Sequence, residues 1–553
     1  MKIVIVGGVA GGATAAARLR RLDEDGEIVL LERGRHISYA NCGLPYYVGG
    51  VVLKKESLTP QTPEGFGARY RVDVRVRSEA VRVDPVKKTV TVRDLEKDRI
   101  YEEPYDRLIL SPGAEPRVPP FLDAERERIF TLRTVPDALA LDSFIKERKP
   151  KNAVVLGAGP VGLEMAENLK RRGLEVLVIE LGDQALAYLD EEMAAAVHLR
   201  LRSQGIGLLL RTKVDAVESV RDGLIVKSSR GKIKTRLLFV SAGVQPESSL
   251  ARSAGLRLGE RGHIVTDSAL TTSDPRIHAL GDAAEIRHSV SGRPTWVALA
   301  GPANKQARAA ADNIRGIKTL YRGSQGSSVV KVFDLAVCAT GLSEKSARAL
   351  GMKHGALHIP APSHVGYYPG AESLLIKVVF APDTGRILGA QVVGGDGADK
   401  RADVLAAAAA FRATAFDLTQ LELCYAPPYG SPKDPVNLAG CAVENVVTGK
   451  VKQFHWREVA GLDPRKSNLL DVRTEKEFRA GAAPGFQNIP LDVLRENIGR
   501  LDPEKPVHVM CQVGMRGYVA SRLLSQKGFD VRNLSGGYAV WDQAVRGSSP
   551  DGR

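Results

Sequence analysis

Cysteine and aromatic residues are scarce in this chain, which has five cysteines in 553 residues and only 5% Phe, Trp and Tyr. The first cysteine, Cys42, is followed next by Cys338, so no local CxxC or CxxxxC disulfide can form there. Scattered cysteines stay reduced in the cytosol unless they are catalytic. A redox role for Cys42 therefore requires a bond with sulfur or oxygen from a small molecule.

Long apolar runs are also missing. The N-terminal strand leads directly into a glycine turn, without the apolar stretch and cleavage site of a signal peptide, and no later run reaches membrane-spanning length. We therefore expect a cytoplasmic protein with no membrane partner. Zinc-finger spacing, RNA-binding aromatic motifs and Lys/Arg blocks are absent too, so the net charge of +14 predicts no nucleic-acid partner. No metal is expected.

Glycine is abundant, with 55 residues, which in a chain long enough for several cores predicts a multidomain α/β enzyme. The strand Lys2–Val6 leads into Gly7–Gly12 and an alanine-rich helix, Ala13–Leu22. A second strand, Glu27–Leu31, is followed at once by Glu32. This order is typical of a Rossmann unit, whose glycines let the backbone approach a pyrophosphate and whose acid binds a ribose hydroxyl.

A second copy of this pattern has all three glycines of the GxGxxG motif, at Gly157, Gly159 and Gly162. In the first copy Val9 replaces the middle glycine, so we expect a less open turn there. Two such units in one polypeptide predict two bound dinucleotides, one of which can reduce the other.

The acid of the second copy bears on which nicotinamide cofactor is used. The strand Val176–Ile179 ends at Glu180, whose carboxylate suits a free 2′-hydroxyl and repels a 2′-phosphate. NADH is therefore favoured over NADPH. Arg211 or Lys213 could soften that preference, so the choice stays open.

Two further segments return the chain to the first domain. Tyr105–Gly113 has the pattern of a strand and turn, and the segment after Thr266–Asp274 predicts a strand that ends at Gly281-Asp282. Together with the two glycine motifs, these segments resemble the two-dinucleotide-binding flavoprotein disulfide reductases. The resemblance implies FAD in the first unit, with Asp282 at the ribityl chain, and NADH or NADPH in the second.

The resemblance also assigns individual residues to each cofactor. Those assigned to FAD are Gly7, Gly8, Ala10, Gly11, Gly12, Glu32, Arg33, Asn41, Val81, Ser111, Gly113, Arg133, Gly281, Asp282, Ala300 and Tyr425. Those assigned to the nicotinamide cofactor are Gly157, Gly159, Gly162, Glu164, Glu180 and Gly243.

Within that superfamily the chain is similar to the coenzyme A-disulfide reductase branch, through Gly7–Gly12, Tyr39–Gly43 and Tyr425–Tyr429. The resemblance puts Cys42 at the flavin as the redox nucleophile; the alternative is a buried cysteine that only packs. Gly43 and Pro45 mark the start of a helix, and a helix N-terminus stabilises a thiolate.

Coenzyme A is implied by the same resemblance, as substrate, carrier or bound ligand. The residues assigned to it are Thr14, Arg18, Arg21, Ser38, Asn41, Arg69, Arg71, Asn304 and Lys433. Arg18 and Arg21 lie three residues apart on one helix face, so both could meet the nucleotide phosphates. The alternative is an ordinary basic helix face.

Two other functions stay open for the same site. Related single-cysteine NADH oxidases and peroxidases carry a histidine where this chain has Ala10, so a disulfide or persulfide is the better substrate. An NADH oxidase is nevertheless an alternative, because reduced flavins react with oxygen. A redox sensor in which Cys42 signals without turnover is another.

The segment Tyr321–Val447 resembles the interface domain of the family, which in relatives lies over the partner subunit's flavin. Two loops there carry tyrosines, and Tyr367 and Tyr425 are the expected proton donors to a departing thiolate. Tyr368 and Tyr429 could simply pack. The resemblance implies a homodimer whose flavin site is completed in trans.

The last hundred residues resemble a single rhodanese domain, through Leu469–Phe478 and a strand, Val507–Met510, that leads into Cys511–Arg516. In such a loop the backbone N–H groups surround an anion, and Arg516 adds positive potential. An active Cys511 that carries sulfane sulfur is expected. Ala482 departs from the usual histidine of this family and should affect packing only. Cys338, Cys424 and Cys441 are expected to be packing residues.

These observations predict an α/β fold with two Rossmann-like domains, an α+β dimerisation domain and a C-terminal α/β rhodanese domain. The expected activity is NAD(P)H-dependent reduction of sulfur–sulfur bonds in coenzyme A persulfide, polysulfide or coenzyme A-disulfide, with Cys511 relaying sulfur as a sulfurtransferase. The expected domains are FAD-binding, 1–111 and 246–320; NAD(P)H-binding, 112–245; dimerisation, 321–448; and rhodanese, 449–553.

Overall fold

The computed structural model describes residues 1–122 and 126–548. The chain divides into two compact units, Met1–Leu181 with Thr212–Gly326, and Gly182–Arg211 with Ser327–Arg553. Among the described residues, no helix combines the length and the apolar character needed to span a bilayer.

The helices are short to medium in length and are distributed along the whole chain. They are α1 (Ala10–Leu22), α2 (Leu44–Val48), α3 (Pro63–Tyr70), α4 (Val135–Arg148), α5 (Pro160–Arg171), α6 (Glu191–Ser203), α7 (Ser249–Ser253), α8 (Ala300–Ile314), α9 (Glu344–Ala349), α10 (Ala398–Ala410), α11 (Ala415–Gln420), α12 (Pro435–Val447), α13 (Glu475–Ala480), α14 (Met515–Ser525) and α15 (Gly537–Ser548).

The strands of the first three fifths of the chain form several small sheets. They are β1 (Lys2–Val6), β2 (Glu27–Leu31), β3 (Asp73–Arg75), β4 (Ser78–Asp84), β5 (Thr89–Asp94), β6 (Arg99–Pro104), β7 (Arg107–Leu110), β8 (Ala114–Pro116), β9 (Ile129–Phe130), β10 (Asn152–Leu156), β11 (Glu175–Ile179), β12 (Gly207–Leu209), β13 (Val214–Val220), β14 (Gly223–Ser228), β15 (Gly231–Thr235), β16 (Leu238–Val240), β17 (Val244–Pro246), β18 (Ile264–Val265), β19 (Ile277–Ala279), β20 (Ala284–Arg287) and β21 (Pro294–Thr295).

The remaining strands belong to the second unit. They are β22 (Ser328–Val332), β23 (Leu335–Gly341), β24 (Gly355–Pro362), β25 (Ser373–Phe380), β26 (Ile387–Gly394), β27 (Lys452–Phe454), β28 (Asn468–Asp471), β29 (Gln487–Asn488), β30 (Val507–Met510) and β31 (Val531–Leu534).

The first unit begins with a parallel sheet in the order β19-β7-β1-β2-β3. Its central strand β1 is apolar at nearly every position because both faces are buried, as is typical of parallel sheets. The predicted strands β1 and β2 are confirmed. The predicted helix start at Ala13 is wrong, since α1 begins at Ala10: Gly11 and Gly12 already lie inside the first turn, where Gly12 packs against the Gly7 carbonyl.

The second nucleotide-binding motif repeats this arrangement, with β10 paired in parallel to β11 on one side and to β16 on the other. The helix α5 begins at Pro160, directly after the glycine turn. The strand β11 begins at Glu175, one residue before the predicted start. Residues 275–282, predicted as one strand, form β19 followed by a 3-10 turn over Gly281–Ala283.

The second unit contains two sheets. The antiparallel sheet β22-β23-β26-β25-β24 packs its apolar face on α10 and α12, and a parallel sheet, β27-β31-β30-β28-β29, follows it in the chain. The segment Gly182–Arg211, which the sequence assigns to the NAD(P)H domain, belongs to this unit. The reason is that its helix α6 packs closely on α15, where Gly547 leaves room for Ala195.

Candidate active site

The first glycine turn is closed by contacts that exclude any larger side chain. A Cβ on Gly7 would lie 2.1 Å from the Ser111 carbonyl oxygen, and one on Gly11 would lie 2.3 Å from Leu280. Val9, by contrast, is the N-cap of α1 with a φ of −96°, so its position does not need the left-handed conformation that favours glycine. The replacement of the middle glycine by Val9 is therefore tolerated by the backbone.

Glu32 is oriented by the backbone of the same turn. Its Oε2 accepts a hydrogen bond from the Gly8 N–H at 2.8 Å, and its Oε1 accepts one from the Gly34 N–H at 2.7 Å. Each carboxylate oxygen keeps a second lone pair for a ribose hydroxyl. The arrangement suits the adenosine end of a dinucleotide at this turn.

Asp282 lies at the start of the 3-10 turn that follows β19, where Arg133 Nη2 approaches its Oδ2 to 3.2 Å. Gly113 lies beside them, since a Cβ on it would be 2.7 Å from Arg133 Nη2. The Gly281 N–H donates to Gln306 Oε1 at 2.7 Å. Gln306 was missed in the sequence because a glutamine inside the alanine-rich helix α8 carries no signal.

The other residues assigned to FAD differ in their contacts. Asn41 Oδ1 is buried and has no hydrogen-bond partner among the described residues, so it can accept a hydrogen bond from a bound ligand. Arg33 is paired with Glu115 at 2.8 Å, which compensates its charge. Val81 and Ala300 are exposed. The turn, the Asp282 region and Asn41 together fit FAD.

Cys42 is exposed and lies in a 3-10 turn, Asn41–Gly43, that continues into the five-residue helix α2. The predicted helix start after Cys42 is confirmed. The predicted stabilisation of a thiolate by this helix together with an oxidised flavin stays a prediction. Partial removal of the thiol from water, with the Glu164 and Asp282 carboxylates, raises the pKa of Cys42, and Arg133 only partly opposes them. The protein groups alone therefore favour the thiol.

Glu164 brings the second nucleotide-binding helix to this cysteine. It lies on α5, and its Oε1 accepts a hydrogen bond from the Tyr46 hydroxyl at 3.4 Å. Burial raises the pKa of Glu164 to about 7, so this carboxyl exchanges its proton near neutral pH. Tyr46 was missed in the sequence, where it is one tyrosine of a Tyr-Tyr pair.

We expect Glu164→Gln to make Cys42 more reactive at lower pH. The Glu164 carboxylate raises the pKa of the Cys42 thiol, so removing its negative charge lowers that pKa. The rate of Cys42 alkylation by iodoacetamide, followed by mass spectrometry from pH 6 to pH 10, measures the shift. Glu127→Gln is the control, and an unchanged Glu164→Gln profile would contradict the expected coupling.

Four of the nine residues assigned to coenzyme A lie on α1 and α8. Thr14 Oγ1 donates to Asn304 Oδ1 at 2.8 Å, so these two are neighbours. Arg18 is held by Asp312 through Nε at 2.8 Å and Nη2 at 2.7 Å. The packing of α1 on α8 brings Asp312 against Arg18, so part of its charge is compensated within the protein, and its contact with nucleotide phosphates stays a prediction.

The remaining coenzyme A candidates are mostly at the surface. Arg21 and Arg69 are exposed, and Arg71 pairs with Glu24 at 2.9 Å. Ser38 takes a left-handed φ of 46°, and its N–H donates to the Gly8 carbonyl at 2.8 Å, which joins it to the glycine turn. In the second unit, Lys433 is exposed.

The second glycine turn has the same closures as the first and one open position. A Cβ on Gly157 would lie 2.2 Å from the Ser241 carbonyl oxygen, whereas Gly159 has no atom within 4 Å, which leaves space for a phosphate. Glu180 Oε2 accepts from the Ala158 N–H at 2.7 Å. Lys213 is engaged by Asp215 at 2.8 Å, which reduces its capacity to offset Glu180.

The two tyrosine loops meet in the second unit. The hydroxyls of Tyr367 and Tyr425 are 3.3 Å apart, and this hydrogen bond raises the pKa of Tyr425. Tyr367 is 77% exposed, so the pair lies at the surface of the protomer. Tyr368 and Tyr429 are exposed as well.

Both loops are held from below by Arg401, which is 1% exposed. Its Nη2 donates to the Ser363 carbonyl and to Asp434 Oδ2, each at 2.8 Å, and to the Tyr429 carbonyl at 3.4 Å. Arg401 was missed in the sequence because only the fold brings its guanidinium to both loops.

A second thiol, Cys511, is fully buried at the end of β30. Its Sγ accepts a hydrogen bond from the Gly514 N–H at 3.0 Å, in the conformation expected for a loop that holds anionic sulfur. Arg516 was expected to add free positive potential, but it donates to both Glu477 oxygens, at 2.8 and 2.7 Å. Arg516 holds the pKa of Glu477 at about 2, so the pair stays ionised and its charges cancel.

The other cysteines behave differently from one another. Cys338 is buried, and burial raises its pKa to about 12, as expected for a packing residue. Cys424 and Cys441 are exposed in the protomer, so the prediction that they pack within it is wrong. Neither lies in a buried cluster because α12 and the loop after α11 face outward at these positions.

The first unit contains two glycine turns, each with its acid, and a lone cysteine on whose thiol Asp282 and Glu164 act. These features define a two-nucleotide oxidoreductase with one thiol at its site. The family model described as pyridine nucleotide-disulphide oxidoreductase matches residues 1–307, and the dimerisation domain of that family matches residues 327–434. A rhodanese-like domain matches residues 457–544. The chain belongs to the pyridine nucleotide-disulphide oxidoreductase family, an FAD- and NAD(P)H-dependent family, and carries a rhodanese-like domain.

Three known proteins are similar over most of this chain. The coenzyme A disulfide reductase of Staphylococcus haemolyticus is 35% identical, over 79% of this chain and 98% of its own length. The reduced CoADR-RHD of Bacillus anthracis is 46% identical, covers 98% of both chains and superimposes with a TM-score of 0.96. An NAD-dependent persulfide reductase from A. fulgidus is 34% identical, over 98% of this chain and all of its own, with a TM-score of 0.90.

Proposed function

We propose that this protein uses NAD(P)H and FAD to reduce sulfur–sulfur bonds of small thiols at Cys42, with Cys511 as a second sulfur carrier. The observation that carries the proposal is the position of Cys42. It is exposed, and two carboxylates act on its thiol: Asp282, which follows β19 of the first sheet, and Glu164, on the helix of the second glycine turn.

The residues around each turn would hold the two dinucleotides. The first turn, Glu32, Asn41 and Asp282 would bind FAD, which when bound passes two electrons from the nicotinamide to sulfur attached to Cys42. Glu180 favours NADH, because its carboxylate accepts a 2′-hydroxyl and repels a 2′-phosphate.

Cys42 would act as the nucleophile towards either kind of substrate. With coenzyme A-disulfide, the Cys42 thiolate attacks one sulfur, forms a mixed disulfide and releases coenzyme A as a thiolate. With a persulfide, it attacks the outer sulfur and releases the thiol, and Cys42 keeps that sulfur as its own persulfide. Two electrons and a proton then release hydrosulfide and restore the Cys42 thiolate.

Glu164 and the tyrosine pair would manage the protons. Glu164, with a pKa of about 7, can accept the proton of the Cys42 thiol near neutral pH. Tyr367 and Tyr425 would donate a proton to the departing thiolate from the partner subunit of a homodimer, which their exposure in the protomer supports. The dimerisation domain matched over residues 327–434 supports the same assembly.

The rhodanese-like domain favours persulfide or polysulfide over plain disulfides as substrates, because disulfide reduction does not use Cys511. Cys511 would take sulfane sulfur from a donor and pass it to coenzyme A, whose long thiol arm carries it to Cys42. Thr14, Asn304 and the exposed Arg21 are the residues proposed to hold the nucleotide of coenzyme A.

We expect anaerobic NADH oxidation with coenzyme A persulfide, polysulfide and coenzyme A-disulfide. Cys511→Ser should lower turnover with polysulfide about tenfold or more, because polysulfide reduction uses Cys511 as a sulfur carrier. It should leave coenzyme A-disulfide reduction within twofold, because that reaction does not use Cys511. Stopped-flow absorbance of NADH measures both. Cys441→Ser, at an exposed cysteine of the second unit, is the matched control.

The other outcomes separate the alternatives. Turnover that appears only when oxygen is admitted would identify an NADH oxidase, and one stoichiometric reduction without turnover would identify a sensor. Unchanged polysulfide turnover in Cys511→Ser would overturn the sulfur relay and leave the reductase function intact.

A further inference from the structure

The loop Cys511–Arg516, called the sulfur loop below, is held in shape by the first turn of α15. The Tyr538 N–H donates to the Cys511 carbonyl at 2.7 Å, and the Ala539 N–H donates to the Gln512 carbonyl at 3.0 Å. In a trans peptide the carbonyl and the next N–H point in opposite directions. The N–H groups of Gln512 and Val513 therefore point away from α15, which leaves them available for an anion.

The turn that leads into α15 packs tightly against both the sulfur loop and strand β24, which lies outside the rhodanese-like domain. Gly536 and Gly537 both have left-handed φ values, 75° and 65°. A Cβ on Gly537 would lie 2.4 Å from the Cys511 carbonyl oxygen, and a Cβ on Gly536 would lie 2.8 Å from His358 Cβ. His358 belongs to β24 of the antiparallel sheet, so this strand is adjacent to Gly536 and the sulfur loop is adjacent to Gly537, the next residue.

His358 also binds the residue that opens this turn, Ser535. The His358 backbone N–H donates to Ser535 Oγ at 2.9 Å, and the ring Nδ1 lies 3.0 Å from the same oxygen. The ring Nε2 lies 2.8 Å from Glu192 Oε1. If the His358 ring is neutral, one set of hydrogen bonds satisfies both of its nitrogens: the Ser535 hydroxyl donates to Nδ1, and Nε2–H donates to Glu192.

Glu192 is a buried anchor for this chain of hydrogen bonds. Its Oε2 accepts from Trp456 Nε1 at 3.2 Å, its backbone carbonyl accepts from Gln543 Nε2 at 2.9 Å, and its other oxygen also pairs with Lys377. Gln543 lies in the rhodanese-like domain, residues 457–544, and Trp456 directly precedes it, so Glu192 joins α6 to that domain.

Lys377 keeps this anchor charged. Its ammonium, 1% exposed, lies 2.7 Å from Glu344 and 3.1 Å from Asp190, and it occupies the position that these carboxylates would otherwise offer to a cation. Glu192 therefore stays ionised although it is buried, because His358 and Lys377 hold its pKa well below the usual range.

We propose that His358 and Ser535 are positioning residues for sulfur transfer at Cys511: the chain Glu192–His358–Ser535 holds the glycine pair, and the glycine pair holds the loop that surrounds the sulfur. This inference rests on the proposed role of Cys511 as a sulfur carrier. It adds that the antiparallel sheet, outside the rhodanese-like domain, determines the shape of the sulfur loop.

The test uses thiosulfate as donor and cyanide as acceptor with the full-length enzyme. The Cys511 thiolate attacks the sulfane sulfur and releases sulfite; cyanide then removes that sulfur as thiocyanate and returns the electron pair to Cys511. Ser535→Ala should lower kcat for thiocyanate formation about tenfold, with the KM for thiosulfate within twofold, and leave coenzyme A-disulfide reduction within twofold. Ser548→Ala is the matched control, since its hydroxyl binds Glu191 at the far end of α15.

A second pair of variants keeps the inference testable if Ser535→Ala fails to fold. His358→Asn retains an acceptor at the Nδ1 position but loses the bond to Glu192, so it should lower kcat about threefold, whereas His358→Leu loses both bonds and should lower it about tenfold. Equal kcat in the two His358 variants, or a Ser535→Ala kcat equal to that of the parent, would overturn the positioning role. Thiocyanate formation that survives Cys511→Ser would instead overturn the proposed function of Cys511.

Discussion

Replacing Cys42 by serine should lower kcat for NADH-dependent reduction of coenzyme A-disulfide and coenzyme A persulfide by about 10³-fold or more. A serine hydroxyl stays protonated at neutral pH and cannot form the sulfur–sulfur bond through which the electrons pass. Anaerobic reduction of the bound flavin by NADH should persist, because the second glycine turn and Glu180 are unchanged. Stopped-flow absorbance separates the two half-reactions.

Cys441→Ser is the matched control for this variant, because Cys441 is another exposed free thiol and has no motif around it. It should retain both half-reactions within twofold. Turnover by Cys42→Ser above a tenth of the parent rate would contradict the role of Cys42 as the redox nucleophile. The same variant should also lose any coenzyme A that mass spectrometry finds bonded to the parent protein.

Arg401→Met should lower the free energy of unfolding of the second unit by about 3–5 kcal/mol, because it leaves the buried Asp434 carboxylate without its cation. The change also removes the hydrogen bonds to the Ser363 and Tyr429 carbonyls, so both tyrosine loops lose their common support. Denaturant unfolding measures the first effect. A lower kcat for coenzyme A-disulfide at temperatures where the variant is folded measures the second.

Arg465→Met is the control for Arg401→Met, since Arg465 also pairs with an aspartate, Asp463, but its side chain is 88% exposed. Exposed pairs of this kind contribute little to stability because water screens them, so the effect of this change should be small. A loss of stability in Arg401→Met no larger than in Arg465→Met would contradict the view that the buried guanidinium supports both loops.

The nucleotide-binding elements could be predicted because their constraints are local. The strands that precede the turns are apolar after their first residue, and Gly7 and Gly157 take left-handed φ values of 96° and 105°, which favour glycine. The helix start at Ala10 was missed by three residues, since helix boundaries depend on packing that the glycines of the first turn permit.

The ionic partners of the site could not be predicted for the opposite reason. Arg18 and Asp312 are far apart in sequence, and so are Arg516 and Glu477, yet the folded chain pairs each cation with its acid. A basic helix face or a basic residue after a cysteine indicates positive charge but not whether that charge is free. Arg516 therefore has a different electrostatic role from the one its motif predicts.

Motif order and spacing in the chain were sufficient to establish the family, the two nucleotide-binding turns and the two sulfur-bearing loops, because each depends on residues close together in sequence. The tertiary structure alone decided which groups act on those loops. Glu164 reaches Cys42 only when the two Rossmann units pack within the first unit, and Glu192 reaches Ser535 through His358 only when α6, β24 and the rhodanese-like domain meet. Burial then gives these distant contacts their strength, since charges and hydrogen bonds weaken little in a dry interior.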